Sequence, residues 1–160
     1  MHLQTTGDIA LHSYYAEYVT NVTSVKDIAE VTQPTTEYRI LIASKDPTLR
    51  EALGWLLNEE PGIQVIDEAI TAIDVLTLAK ALEPDGVILD VELPEADGYT
   101  VTRVLKRLPA PPFVILLLVH GDPTARKRGQ AAGADGFIEK GTDWPDLLQQ
   151  IRQMLRIERK

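Results

Sequence analysis

Gly86-Val87-Ile88-Leu89-Asp90, a helix-length stretch from Tyr99 to Leu108, and then Phe113-Val114-Ile115-Leu116-Leu117-Leu118-Val119 form the segment that decides the fold. Both apolar runs are short and aliphatic at consecutive positions, the pattern of strands buried on two faces, and a helix between two such strands joins them in parallel. The same alternation extends outward. Arg39 to Ala43 and Ile63 to Asp67 read as strands before the segment, and Gly136 to Glu139 as one after it. Helical stretches run at Pro47 to Glu59, Ala72 to Leu82, Pro123 to Ala132 and Trp144 to Ile157. The expected fold is α/β, a doubly wound parallel sheet of five strands flanked by five helices.

Helix ends carry their own signals. Asp46-Pro47 and Asp122-Pro123 each place a side-chain acceptor before a proline that gives up no helical hydrogen bond at the first position, and Asp143 precedes Trp144-Pro145 in the same way. Leu147, Leu148, Ile151, Met154 and Leu155 fall on one stripe of the last helix, predicted to face the sheet. Residues 39–157 thus form one domain. Residues 1–38 differ: they hold five acids against the single Lys26 and show no clear apolar face, so they read as an extension, either loosely ordered or a short docking helix over Ile9 to Val22.

Composition narrows the function. The chain has 160 residues, 44% hydrophobic, enough for one core, and 16 Lys and Arg against 24 Asp and Glu give a net charge of −8 that opposes binding to a phosphate backbone. No direct nucleic-acid contact is expected. The absence of cysteine removes disulfides, thiolate metal sites and thiol nucleophiles, and no apolar run approaches the roughly 20 residues of a membrane-spanning helix. The cytoplasm is the expected location, with no membrane association.

In an open parallel sheet, chemistry collects at the carboxyl ends of the strands. Those ends carry Ser44, Lys45 and Asp46, then Asp90, then Leu118, Val119 and His120, then Lys140. Asp90 and Lys140 stand out, because a carboxylate at a buried strand end needs a partner and the ammonium is the available one. His120 reads as either a partner of Asp90 or an exposed side chain, with no metal-ligand spacing around it.

Asp90-Val91-Glu92-Leu93-Pro94-Glu95-Ala96-Asp97-Gly98 resembles the phosphoacceptor loop of bacterial response-regulator receiver domains, and Gly133-Ala134-Asp135-Gly136-Phe137-Ile138-Glu139-Lys140 resembles their fifth-strand lysine motif. Ile40-Leu41-Ile42 and Glu83-Pro84-Asp85 extend the likeness from Arg39 to about Leu155. The resemblance implies a flavodoxin-like fold and a signalling module of two-component type rather than an enzyme. In such domains a histidine kinase passes a phosphoryl group to the third-strand aspartate, an acidic pair after the first strand helps hold Mg²⁺, a Thr or Ser ends the fourth strand, and an aromatic precedes the fifth-strand lysine by three residues.

Carried over residue by residue, the resemblance puts Asp90 at the phosphoacceptor position, Lys140 at the lysine and Phe137 at the aromatic. Ser44 and Lys45 replace the acidic pair, and Leu118 replaces the hydroxyl. Asp90 is then expected to face Lys45 and Lys140, with Lys45 taking the metal's electrostatic place. Asp46 is the one acid able to rescue a metal site, against its role as a helix cap.

Three functions follow. The leading expectation is a phosphorylation-deficient pseudo-receiver, without a cofactor, that binds protein partners in a signalling pathway, a histidine kinase or an output protein. Its partner face is expected to include Arg126, Lys127 and Arg128, and the resemblance alone implies a homodimer through the fourth-helix to fifth-helix face. The alternative is a working response regulator phosphorylated on Asp90 with Mg²⁺. A flavodoxin-like small-ligand binder comes last, since Ser44-Lys45-Asp46-Pro47-Thr48 offers no glycine to approach a phosphate. No output domain follows within these 160 residues, so the module acts alone or is one piece of a longer polypeptide.

Overall fold

A computed structural model describes residues 37–156 of the chain. The elements are β1 (Tyr38–Ala43), α1 (Pro47–Asn58), β2 (Ile63–Ala69), α2 (Ala72–Leu82), β3 (Gly86–Asp90), α3 (Gly98–Leu105), β4 (Phe113–Leu118), α4 (Ala125–Ala132), β5 (Gly136–Glu139) and α5 (Trp144–Leu155). All strand pairs are parallel and the sheet order is β2-β1-β3-β4-β5. This is the doubly wound arrangement expected from the sequence. The reading of residues 1–38 as a tail or docking helix lies, over residues 1–36, outside the described residues, and its last residue, Tyr38, belongs instead to β1.

Alternation along the strands sorts the core into two layers. Leu41, Val87, Leu89, Val114, Leu116 and Leu118 face α2, α3 and α4, while Ile40, Ile42, Ile88, Ile115, Leu117 and Ile138 face α1 and α5. The stripe on α5 behaves as read: Leu147, Ile151 and Leu155 are buried in the second layer, and Leu148 and Met154 pack against it. Asp85, from the Glu83-Pro84-Asp85 motif, ties the amino ends of three strands. Its carboxylate and backbone exchange bonds with Arg39 and its carbonyl accepts from the Phe113 N–H.

The helix starts are partly as predicted. Asp46 caps α1 by accepting from the Thr48 N–H at 2.9 Å, with Pro47 in the first turn. Asp122 does not cap α4. Its carboxylate closes a turn on Thr124 N–H and Oγ1, and the helix begins only at Ala125, so Asp122-Pro123 marks a turn rather than a first helical position. Asp143 occupies the cap position of α5 without a side-chain cap bond. Tyr99 to Leu108 shortens to Gly98–Leu105 because the segment after Leu105 leaves the helix in a turn, Arg107 and Leu108 bonding Val104 and Leu105 three residues back.

Glu83 ends α2 in the left-handed region at φ 47°, a conformation that strains any side chain. Glu83→Gly is expected to raise the unfolding free energy by about 0.5–1 kcal/mol, the relief of strain less the added freedom of the unfolded chain. Urea unfolding checks this; a lower midpoint would show that the Glu83 side chain contributes more than its backbone loses.

Candidate functional site

The carboxyl ends of β1, β3 and β5 converge on one buried acid. Asp90, the last residue of β3, is 2% exposed. Its Oδ1 pairs with Lys140 Nζ at 2.6 Å and accepts from the Glu92 N–H at 2.9 Å, and its Oδ2 accepts from Ser44 Oγ at 2.9 Å. Every one of these partners follows a strand end by a residue or two. Ser44 is fully buried and also accepts from the Asp46 N–H, while the Arg50 guanidinium donates to the Ser44 carbonyl at 2.7 Å and fixes the turn that aims the hydroxyl.

Lys140 holds a second acid. Its Nζ lies 2.6 Å from Glu92 Oε2 as well, so one ammonium bridges a buried and an exposed carboxylate, as its hydrogen-bonding capacity allows. Burial alone would depress the lysine, but the hydrogen bonds and charges of Asp90 and Glu92 outweigh it and raise its pKa above the usual 10.5. Glu92 is held below its usual 4.5, first by the hydrogen bond from Lys140, then by its charge, with a smaller push from Lys45.

Linkage gives these shifts a sign. A raised lysine stabilises the fold fully below its unfolded pKa and loses that contribution as pH climbs through the folded value; a lowered glutamate stabilises above its unfolded pKa and loses it as pH falls through the folded value. The stability advantage of the native chain over Lys140→Met is therefore expected to be flat near neutrality and to shrink above pH about 10.5, where the unfolded lysine begins to deprotonate. Chemical denaturation across an alkaline series measures it. An advantage that persists undiminished through the titration would mean that the ammonium's charge is not what Asp90 uses.

Four sequence expectations are placed or corrected here. Asp90 and Lys140 meet as expected. Lys45 does not join them: it is exposed, and among the described residues no ion pair within 4.0 Å links it to Asp90. The chain leaves β1 with Ser44 turned inward and Lys45 outward, so the small hydroxyl, not the ammonium, reaches the acid. Asp46 is exposed and caps α1 through its Oδ1. His120 is exposed and pairs through Nδ1 with Glu139 at 3.1 Å, away from Asp90.

Leu118 is buried in the core layer beneath α4, and its carbonyl accepts the Lys140 N–H at 2.9 Å. Phe137 is half-buried against the same layer, its ring so near α4 that a Cβ on Gly129 would collide with it. The basic cluster on α4 is exposed, yet the Arg126 guanidinium stands 5.6 Å from the Phe137 ring centre and that of Arg128 4.2 Å from Tyr99. Gly98 opens α3 hard against the end of β3, where a Cβ would fall 2.7 Å from the Asp90 carbonyl oxygen.

A hard dication such as Mg²⁺ is held by carboxylates, carbonyls and water. The donor set here is one buried carboxylate, already paired with an ammonium and accepting from Ser44 Oγ and the Glu92 N–H, and the exposed Glu92 carboxylate bound to that same ammonium, while the positions that would add acids hold Ser44 and Lys45. This set does not fit Mg²⁺.

The chain belongs to the response regulator receiver domain family, whose profile matches residues 40–152. It is similar to the response regulator GacA of Pseudomonas aeruginosa, 31% identical over 122 residues covering 76% of this chain and 56% of that protein. It is also 31% identical over 119 residues to protein-glutamate methylesterase/protein-glutamine glutaminase 4 of Myxococcus xanthus, covering 72% of this chain and 34% of that one. Among solved structures it resembles a two-component response regulator of the LuxR family from Aurantimonas, with a TM-score of 0.70 and 28% identity over 77% of this chain and 88% of that chain. The chain spans between about a third and a little over half the length of the first curated relatives it matches. Among the described residues no helix is long and apolar enough to cross a membrane.

Proposed function

We propose that this receiver domain takes up no phosphoryl group on Asp90 and works by binding protein partners in a two-component pathway. One observation carries the reading: the Asp90 carboxylate is occupied by Lys140 and Ser44, at 2.6 and 2.9 Å, with Ser44 and Lys45 standing in place of an acidic pair after β1. Phosphoryl transfer depends on neutralising charge at the transferring group, and Lys140 is shared between Asp90 and Glu92. Leu118 offers no donor to a phosphoryl group in any case. The partners are a histidine kinase or an output protein, the reading that fits membership of the response regulator receiver family. The exposed α4 face with Lys127 is the surface for them or for a second copy of the domain.

A second reading keeps the family's chemistry, with Asp90 phosphorylated in the presence of Mg²⁺ and Asp46 or water completing the metal site. It is favoured by the juxtaposition of Asp90 and Lys140 at the strand ends. Intact-mass measurement after incubation with acetyl phosphate and Mg²⁺, with Asp90→Ala as control, separates the two. The expected result is an unmodified chain. A single phosphoryl adduct present on the native chain and missing from the control would overturn the proposal.

A further inference from the structure

The edge of the sheet farthest from β5 carries an unusual surface. Trp55, on the outer face of α1, is 69% exposed, the most open of the large apolar side chains among the described residues. Beside it, between α1 and β2, runs a groove of about 330 Å³. Its floor is open at Gly54, where a Cβ would meet nothing closer than Glu68 Oε1 at 3.9 Å. Its rim is acidic: Glu51 from α1 and Asp67 and Glu68 from β2 line it, and among the described residues none of the three has a cation within 4.0 Å. Arg50, the one basic residue of the lining, turns a guanidinium nitrogen to the Ser44 carbonyl.

Two further bonds limit what can lie there. The β2 backbone N–H of Val65 donates to Asn58 Oδ1 at 3.0 Å and that of Glu68 to Asp67 Oδ1 at 2.8 Å. With these donors taken, an added strand would find too few partners on β2, so the groove suits a side chain rather than a backbone. An indole face flanked by unpaired carboxylates favours a cation with an apolar stem, drawn in by the charge and seated on the ring.

We propose that the α1–β2 groove docks a basic segment of a partner protein, one Arg or Lys side chain lying on Trp55 between Glu51, Asp67 and Glu68. The surface is separate from Asp90 and the proposal stands whether or not that residue is ever phosphorylated. The occupant is a cationic protein segment, as the unbalanced charge of the rim requires.

The chain has two tryptophans, so Trp144→Phe leaves Trp55 as the sole indole reporter. The probe is a blocked octapeptide of alternating arginine and leucine, compared with its analogue in which citrulline, isosteric and neutral, replaces arginine. The arginine peptide is expected to quench Trp55 saturably, at least about tenfold more tightly than the citrulline peptide, with affinity falling as salt rises. The surface variant Glu51→Gln, Asp67→Asn, Glu68→Gln, shown folded by its urea transition, is expected to lose that tenfold preference. Equal binding of the two peptides, an unchanged preference in the triple variant, or no saturable quenching overturns the proposal. So does self-association of the protein alone that Trp55→Ala abolishes in sedimentation, since the groove would then hold a second copy.

Discussion

Lys140→Met is expected to lower the unfolding free energy by about 3–5 kcal/mol at neutral pH, the usual consequence of stripping a buried carboxylate of its cation. Asp90 is 2% exposed and its pairing with Lys140 is the only ion pair it makes among the described residues. Ser44 and the Glu92 N–H remain, but two hydrogen bonds do not replace a charge. The second half of the cycle makes the case specific. Asp90→Asn in the same chain removes the uncompensated charge and keeps an acceptor for Ser44, so Asp90→Asn/Lys140→Met is expected to recover most of the loss. Denaturant unfolding of the four proteins measures the coupling. Additive losses, or a Lys140→Met loss under about 1 kcal/mol, would mean that the pair is a surface ornament and that another group balances Asp90.

The second large effect is a gain. In Ser44→Asp/Lys45→Asp the hydroxyl that donates to Asp90 gives way to an acid, placing two carboxylates where the Ser44 and Asp90 oxygens now stand 2.9 Å apart. Like charges at that range and depth repel, and the variant is expected to be less stable than the native chain by about 3 kcal/mol in the absence of divalent cations. Mg²⁺ should return about 2–3 kcal/mol once it is present at roughly a hundred times its dissociation constant, because it binds the folded form alone. The native chain should show no such response. Thermal unfolding with and without Mg²⁺ decides it, with the acetyl phosphate reaction repeated on the variant. A native chain stabilised by Mg²⁺ as much as the variant would place the barrier somewhere other than residues 44 and 45.

The sheet was readable because its signals are local and redundant. Gly86–Asp90 and Gly136–Glu139 are bounded as the aliphatic runs predict, and Asp46 caps where a carboxylate before proline should. Ile63–Ala69 ran two residues beyond the expected end because a register shift past Ile40 brings Asp67, Glu68 and Ala69 into pairing with β1, and tertiary pairing of that kind has no trace in hydropathy. The site was legible in its charges and not in its directions. That Asp90 and Lys140 meet follows from their places at strand ends; that Ser44 faces in and Lys45 out depends on a turn held by Arg50, six residues on. Glu92 was missed as a partner of Lys140. Its spacing of two from Asp90, just past the strand end, was the available signal. The pairing of Arg126 and Arg128 with aromatic rings was unreadable, since Phe137 and Tyr99 come from other elements.

β4 stands between β3 and β5, and Lys140 crosses over its end to reach Asp90 and Glu92. β5 is a margin of only four residues, Gly136–Glu139, the kind of strand that frays first. The lysine therefore acts as a strap from the sheet's margin to its middle, and the loosening of that margin is governed by the state of a carboxylate two strands away. Whatever alters Asp90, a partner's side chain as readily as a change of its own charge, would be felt as a change in how often β5 opens, and the amide protons of Ile138 and Glu139 are where a spectroscopist would see it.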